Sequence, residues 1–146
     1  MCDRVIRVMA SGVFDILHTG HISYLQQAKA MGDELVVVVA CDETVRKNKH
    51  EPITPERMRV RIADSLKPVD RAILGNEGDI FDVVKEISPD IIVLGFDQMF
   101  RESDLRKKLD DNGLGHIRVE RATEYAEDLT ATRRIIEKIR KLEDGT

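Results

Sequence analysis

Short apolar runs recur along the chain, and polar or glycine-containing segments separate them. The clearest run covers residues 35–40, where a leucine, four valines and an alanine follow one another without a polar residue. A continuous β-branched run is typical of a parallel strand that is covered on both faces. Similar runs predict four more strands, over residues 5–10, 71–74, 91–94 and 117–119.

Apolar residues at helical spacing occupy the segments between these runs. In residues 21–31 an apolar side chain recurs every three positions, and Gly32 follows as a stop signal. The same reasoning predicts helices over residues 54–66, 79–87, 102–111 and 130–142. The last of these carries its apolar face on Ile135, Ile136 and Ile139.

The second predicted helix follows a polar segment. Residues 42–53 are polar and rich in lysine, so we expect a loop there. Thr54 can cap the helix that follows, and Pro55 suits its first turn. Its buried stripe is expected to consist of Met58, Ile62 and Leu66.

Strands that alternate with helices predict an α/β fold with right-handed crossovers. We expect one Rossmann-like, doubly wound domain over residues 1–146, with five parallel strands and helices on both faces. Ligands of such folds bind at the carboxyl edge of the sheet, near the switch in strand order. The loops expected at that edge are residues 11–20, 42–54, 75–78, 96–101 and 121–130.

Composition excludes several classes of protein. The chain has 146 residues, with 23 Lys and Arg against 27 Asp and Glu, and its net charge of -4 argues against a general nucleic-acid binder. Its longest apolar stretch is far shorter than the roughly 20 residues that span a bilayer, so we expect no membrane association. The N-terminus lacks the layout of a signal peptide, and Cys2 and Cys41 form no disulfide framework. We therefore expect a cytoplasmic protein.

Two histidines and a glycine mark the start of the first predicted helix. Helix N-termini attract phosphate through free backbone N–H groups and a positive dipole. His18 and His21 are three positions apart, so both can meet one anion in the first turn. Gly20 lies between them and removes a side chain where a phosphate would approach. A phosphate-containing ligand is therefore expected at this turn.

The segment from Gly12 through Phe14, Asp15 and His18 to His21 resembles the HxGH nucleotidylyltransferase superfamily. The resemblance continues in order through almost the whole chain. It includes the lysine-rich loop, Pro52, Ile53, Pro55, Glu56 and Arg59, residues 67–70, residues 89–98, and the threonines at 130 and 132. Residues 67–70 and 95–98 make the archaeal-type FAD synthetases the most similar subgroup.

The resemblance implies a set of functional residues. Its catalytic residues would be His18, His21, Lys49 and Arg59. Nucleotide contacts would come from Val13, Phe14, His18, Thr19, Gly20, His21, Asp97, Tyr125, Thr130, Thr132 and Arg133. Lys47 and Lys49 would bind the substrate phosphate. Arg133 follows a threonine pair that Ala131 interrupts, which departs from the pattern of the superfamily. No role is expected for His50 or His116 beyond a structural one.

The reaction implied by the resemblance is in-line attack of the FMN phosphate on the α-phosphorus of ATP, giving FAD and pyrophosphate. It needs no protein nucleophile, and Mg²⁺ would be held mainly by substrate phosphates. The resemblance also implies a homodimer. Two other functions stay open at the level of sequence: cytidylyl transfer to glycerol 3-phosphate or another small phosphate, and a non-catalytic nucleotide sensor.

Overall fold

The computed structural model describes residues 4–48, 50–98, 101–125, 127 and 129–145. Within them, strands and helices alternate along almost the whole chain. The elements are β1 (Arg7–Gly12), α1 (Thr19–Ala30), β2 (Glu34–Val39), α2 (Asp42–Asn48), α3 (Glu56–Asp64), β3 (Arg71–Leu74), α4 (Ile80–Ile87), β4 (Ile91–Leu94), α5 (Glu102–Asp111), β5 (Arg118–Arg121) and α6 (Thr132–Asp144).

The strands form one parallel sheet in the order β3-β2-β1-β4-β5. The chain therefore builds outward from β1 in one direction and then crosses over to build in the other. The switch in strand order lies between β1 and β4, where Val8 to Ala10 pair with Ile91 to Val93. The predicted α/β class and the five-stranded parallel sheet are confirmed.

Side chains of the central strands alternate between two apolar layers. Val8, Ala10 and Val37 pack on one face with residues of α1 and α3, including Leu25 and Ala63. On the other face, Met9, Val36 and Val38 pack with residues of α4 and α5, such as Ile87 and Leu109. Helices therefore cover both faces, which explains why β2 is continuously apolar.

Residues 42–48 form a helix, so the loop expected over residues 42–53 is wrong in its first half. Asp42 and Glu43 occupy the first turn of α2, where their charge favours the helix dipole. Arg46 in the last turn pairs with Glu43 and Glu51. Val45, the one apolar side chain in this short segment, is buried. A single apolar residue gives no periodicity, and the helix was missed for that reason.

The stripe expected on the next helix is also partly wrong. Met58 is 49% exposed, whereas Arg59 and Ala63 are the buried residues of α3. Pro55 occupies the N-cap position, and the Thr54 hydroxyl bonds to Asp15 instead of capping the helix.

Helix α6 packs differently from the other long helices. It starts at Thr132, and none of its residues, all of which the structure describes, is buried. Ile135 and Ile136 are half-buried, but Ile139 and Leu142 are 50% and 63% exposed.

The part of the chain that the structure describes contains no helix that is long and apolar enough to cross a membrane.

This contrast predicts unequal costs for two leucine truncations. Leu25→Ala, in fully buried α1 packing, should destabilise the fold by about 2–5 kcal/mol because it leaves a cavity. Leu142→Ala should change the free energy of unfolding of the isolated chain by only about 0.5 kcal/mol. Thermal melting of both variants checks this, with a fall in Tm of about 5–15 °C expected for Leu25→Ala alone. Equal Tm values would contradict the packing described here.

Candidate active site

A cleft of about 670 Å³ opens at the carboxyl edge of the sheet, over the switch in strand order. Its walls come from the β1–α1 loop, the residues after β4 and β5, and the start of α6. Ten of the predicted nucleotide-binding residues line it: Val13, Phe14, His18, Gly20, His21, Asp97, Tyr125, Thr130, Thr132 and Arg133. The eleventh, Thr19, is exposed beside it, and its hydroxyl donates to Glu127 at 2.6 Å.

Phe14 gives the β1–α1 loop its shape. Its φ of 54° lies in the left-handed region, which is costly for a bulky residue. The ring is 2% exposed and folds back over Gly12, where an added Cβ would lie only 3.0 Å from ring atoms. Burial of the ring compensates for the strained backbone, and the ring also supports His21 at a centroid distance of 5.5 Å.

His18 and His21 form a reciprocal cap at the start of α1. Nδ1 of His18 accepts the backbone N–H of Gly20 at 3.1 Å, and Nδ1 of His21 accepts the backbone N–H of His18 at 3.2 Å. The two rings lie against each other with their centroids 3.9 Å apart. In an ordinary capping box these two backbone N–H groups are bound by a Ser or Thr and a Glu or Gln side chain, and here two histidines bind them.

These two bonds determine the tautomer of both rings. A nitrogen that accepts a hydrogen bond carries no proton, so each neutral ring must be protonated on Nε2. Burial lowers the pKa of His18, and the nearby charge of Asp97 opposes this effect only in part. The neutral His18 ring therefore presents an Nε2–H donor without needing a positive charge.

Gly20 is required for a reason that the sequence did not indicate. A Cβ at this position would lie 2.9 Å from the His18 ring and 2.9 Å from the carbonyl oxygen of Thr130. The space is therefore occupied by the protein itself. The glycine lets the start of α1 approach the segment before α6, which brings two walls of the cleft together.

Asp15 ties the histidine loop to the segment before α3. Its carboxylate accepts the backbone N–H groups of Ile53 and Thr54 at 2.7 and 2.9 Å, and the Thr54 hydroxyl at 2.7 Å. Burial raises the pKa of Asp15, but these bonds and the charge of Arg59 outweigh burial, so the pKa lies below its ordinary value. The aspartate is therefore a structural anion.

Arg59 does not reach the cleft, contrary to the catalytic contact expected for it. The side chain is fully buried, and Nη1 donates to the carbonyl oxygens of Val13 and Ala40 at 2.9 and 2.7 Å. Nε donates to the Thr54 carbonyl at 3.0 Å, and Nη2 pairs with Asp42 at 2.6 Å. The planar fork of guanidinium donors matches carbonyl and carboxylate acceptors. Arg59 therefore positions the β1–α1 loop and the segments that follow β2 and precede α3.

Two residues that sequence reasoning missed complete the switch point. The ladder between β1 and β4 ends at Ala10, one residue before the cleft. Tyr24 accepts the N–H of Ser11 at 3.1 Å and donates to the Val93 carbonyl at 2.6 Å, and Gln98 donates to the Ser11 carbonyl at 2.9 Å. Burial raises the pKa of Tyr24 well above its ordinary value, so it stays a neutral donor.

Arg121 holds the residues after β4. It donates to the carbonyl oxygens of Gly95 and Gln98 at 2.8 and 3.0 Å and pairs with Glu102 at 2.5 Å. Its position at the end of β5 is the only sequence signal that could have identified it. This clamp fixes the loop that carries Asp97.

Of the two lysines expected to bind substrate phosphate, the structure describes Lys47, which does not line the cleft. Lys47 is largely exposed on α2, with Nζ 3.9 Å from Glu77. Lys49 lies outside the described residues. His50, for which only a structural role was expected, lines the cleft.

Comparison with known proteins agrees with this geometry. The cytidylyltransferase-like family model matches residues 9–138, and the chain belongs to this family of nucleotidyltransferases. Its relatives include the FAD synthase of Thermoplasma acidophilum, which is 51% identical over 94% of this chain and 96% of that protein. The FAD synthase of Aciduliprofundum boonei is 50% identical over 92% of this chain and 91% of that protein. The predicted family resemblance is confirmed.

A solved structure is similar over most of the fold. The lipopolysaccharide core biosynthesis protein from Thermoplasma volcanium is 52% identical, with a TM-score of 0.82 over 84% of this chain and 100% of that protein. At this identity the two chains share the family as well as the fold.

The histidine caps predict a specific NMR signature. At pH 7.5, long-range ¹⁵N–¹H spectra should show unprotonated Nδ1 and protonated Nε2 for His18 and His21. The same signature should persist for His18 below pH 6.5, because burial disfavours its charged form. A protonated Nδ1 in either ring at pH 7.5 would contradict the capping geometry.

The lowered pKa of His18 also predicts a pH effect on stability. Below about pH 6.5 the unfolded chain binds a proton on His18 that the folded protein resists. Stability therefore falls as the pH drops below this value, and the loss stops once the folded residue also titrates. Melting curves of wild type and His18→Gln between pH 5 and 8 should show the steeper pH dependence in wild type.

Proposed function

We propose that this chain is an FAD synthase, which transfers AMP from ATP to FMN and releases pyrophosphate. The observation that carries the proposal is about 50% identity to archaeal FAD synthases over more than nine-tenths of both chains. The cleft supports it, because it combines paired imidazole donors, two helix starts and an exposed carboxylate in a space large enough for a nucleotide.

The paired histidines stabilise the charge that develops during transfer. The FMN phosphate oxygen attacks the α-phosphorus in line, and the bond to the bridging oxygen of pyrophosphate breaks. Nε2–H groups of His18 and His21 donate to phosphate oxygens in the transition state. Because both rings are already held by backbone N–H groups, this stabilisation needs little reorganisation at the moment of reaction.

The remaining nucleotide contacts divide between the two ends of the cleft. The triphosphate binds at the α6 end, to Thr130, Thr132 and Arg133. The first backbone N–H groups of α6 also contribute, because the N-cap residue Ala131 has no polar side chain to bind them. At the other end, Asp97 and Tyr125 contact ribose and base. Val13, Phe14, Thr19 and Gly20 shape the loop between them. Lys47 and Lys49 are assigned to the substrate phosphate, and Lys47 is exposed on α2 outside the lining of the cleft.

Magnesium enters this proposal as a partner of the substrate phosphates. The described residues hold no group of three His, Cys, Asp or Glu side chains that could bind a metal ion. The side chains of the described residues therefore offer no cluster that would hold a resident metal. Mg²⁺ commonly retains several waters and binds through phosphate oxygens, which fits MgATP as the substrate.

We further propose a single domain, a homodimer and a cytoplasmic location. One continuous sheet with two apolar layers supports the single domain. The exposed Ile139 and Leu142 of α6 support an oligomer, which analytical ultracentrifugation would test. The free thiol of Cys41 agrees with a reducing compartment.

The substrate assignment predicts a clear preference. The purified chain with MgATP and FMN should produce FAD and pyrophosphate, whereas CTP with glycerol 3-phosphate should yield little product. Chromatography of the flavins and a pyrophosphate assay measure both reactions in parallel. Efficient formation of CDP-glycerol without FAD would overturn the assignment.

Loss of one imidazole should separate chemistry from binding. His21→Ala should lower kcat by about 10²–10³, the scale seen when a preorganised donor to a developing oxyanion is removed. Affinity for ATP should fall much less, since Arg133 and the helix starts remain. Single-turnover rates, ATP binding and Tm are measured on one preparation, with His116→Ala as a control outside the cleft. A wild-type rate in His21→Ala would refute this role.

A further inference from the structure

His50 is a third histidine of the cleft, and the reaction described above does not use it. It lies between α2 and α3, and its side chain is exposed where the cleft opens. His116, the remaining histidine of the chain, is exposed in the connection between α5 and β5 and does not line the cleft.

The segment that carries His50 is anchored to the loop that carries the other two histidines. Asp15, three residues before His18, binds the backbone of Ile53 and Thr54. Glu51, the neighbour of His50, pairs with Arg46 of α2 at 3.0 Å. These contacts anchor the chain directly after His50, whose side chain lines the cleft.

The hydrogen bond of His50 gives it the opposite tautomer from His18 and His21. Its Nδ1 lies 2.8 Å from the carbonyl oxygen of Glu51. A carbonyl oxygen can only accept, so Nδ1 carries the proton and Nε2 of the neutral ring is an acceptor. The cleft therefore contains two imidazoles that present N–H donors and one that presents a lone pair.

A lone pair of this kind suits one component of the proposed reaction. The attacking group is a phosphate monoester, whose second proton dissociates near pH 6, with a pKa of about 6. Below that pH, much of the acceptor is a monoanion whose remaining proton lowers its nucleophilicity. A neutral imidazole can take this proton, and the imidazolium then pairs with the dianion.

We propose that His50 binds the phosphate monoester of the acceptor and takes its remaining proton. The inference rests on the proposed function for the identity of the acceptor. The proton passes from the phosphate O–H to Nε2, the freed oxygen bonds to the α-phosphorus, and pyrophosphate leaves. The proton then passes from His50 to water. The charged and imidazole side chains that line this space from other elements are Asp15, His18, His21, Asp97, Glu124, Arg133 and Arg134, and the titratable phenols are Tyr24 and Tyr125.

Kinetics of His50→Gln test this role against the matched variant His116→Gln. With MgATP and FMN at pH 6, His50→Gln should raise KM for FMN by about tenfold to a hundredfold, the loss expected for one charge-assisted hydrogen bond. The effect should be smaller at pH 8, where the acceptor is already a dianion, and KM for ATP should not change. A His50→Gln profile parallel to that of wild type from pH 5.5 to 8.5 would overturn the proposal.

NMR provides a readout that does not depend on FAD formation. The Cε1–H resonances of the histidines are assigned with the two glutamine variants. At pH 7, addition of FMN or of glycerol 3-phosphate without ATP should move the His50 resonance towards its protonated position and leave His116 unchanged. An unmoved His50 resonance with both monoesters refutes the proposal. A shift with glycerol 3-phosphate in a chain that makes no FAD would support His50 and refute only the FMN assignment.

Discussion

The loop that carries the histidine pair depends on one buried ionic network, in which Asp15 and Arg59 hold three chain segments together. Asp15 binds the segment before α3 from above, and Arg59 binds carbonyls of the β1–α1 loop, of the end of β2 and of Thr54 from within the core. Asp42 supplies the countercharge for the fully buried guanidinium. Among the described residues, no buried side-chain nitrogen or oxygen lacks a partner.

The same network joins the segments that surround one side of the cleft. A buried charge that loses its partner is strongly destabilising, so each segment is held by groups that cannot be left unsatisfied. Removal of Arg59 would take the guanidinium donor away from four acceptors at once, and three of them are backbone carbonyls. Lysine would not replace it, because a single ammonium group cannot reproduce the planar fork.

The histidines illustrate how preorganisation assigns different chemistry to the same side chain. His18 and His21 accept backbone N–H groups on Nδ1, whereas His50 donates from Nδ1 to a carbonyl. The backbone therefore decides which rings present donors and which presents a lone pair. Rigid elements beneath the site, with Tyr24 and Gln98 closing the gap after the β1–β4 ladder, keep these orientations in place.

The sequence alone was sufficient for features that depend on local pattern. Continuous apolar runs identified the five strands, and helical spacing with stop signals identified five of the helices, because both signals extend over several neighbouring residues. The HxGH segment indicated the family through its resemblance to a known motif, and its residues are neighbours in sequence at the start of α1. The cap of His18 and His21 is local as well, although its tautomers became visible only in the structure.

Tertiary structure decided whatever depends on residues distant in sequence. Arg59 resembles a solvent-facing arginine in sequence, but it is buried because its acceptors come from Val13 and Ala40, which folding brings beneath it. Likewise, nothing near His50 distinguishes it from His116; contacts of Asp15 with residues 38 and 39 positions away bring its segment to the cleft. Gly20 is needed because Thr130 lies against it. Such contacts produce no periodic pattern in the sequence, because each of them joins segments that only folding brings together.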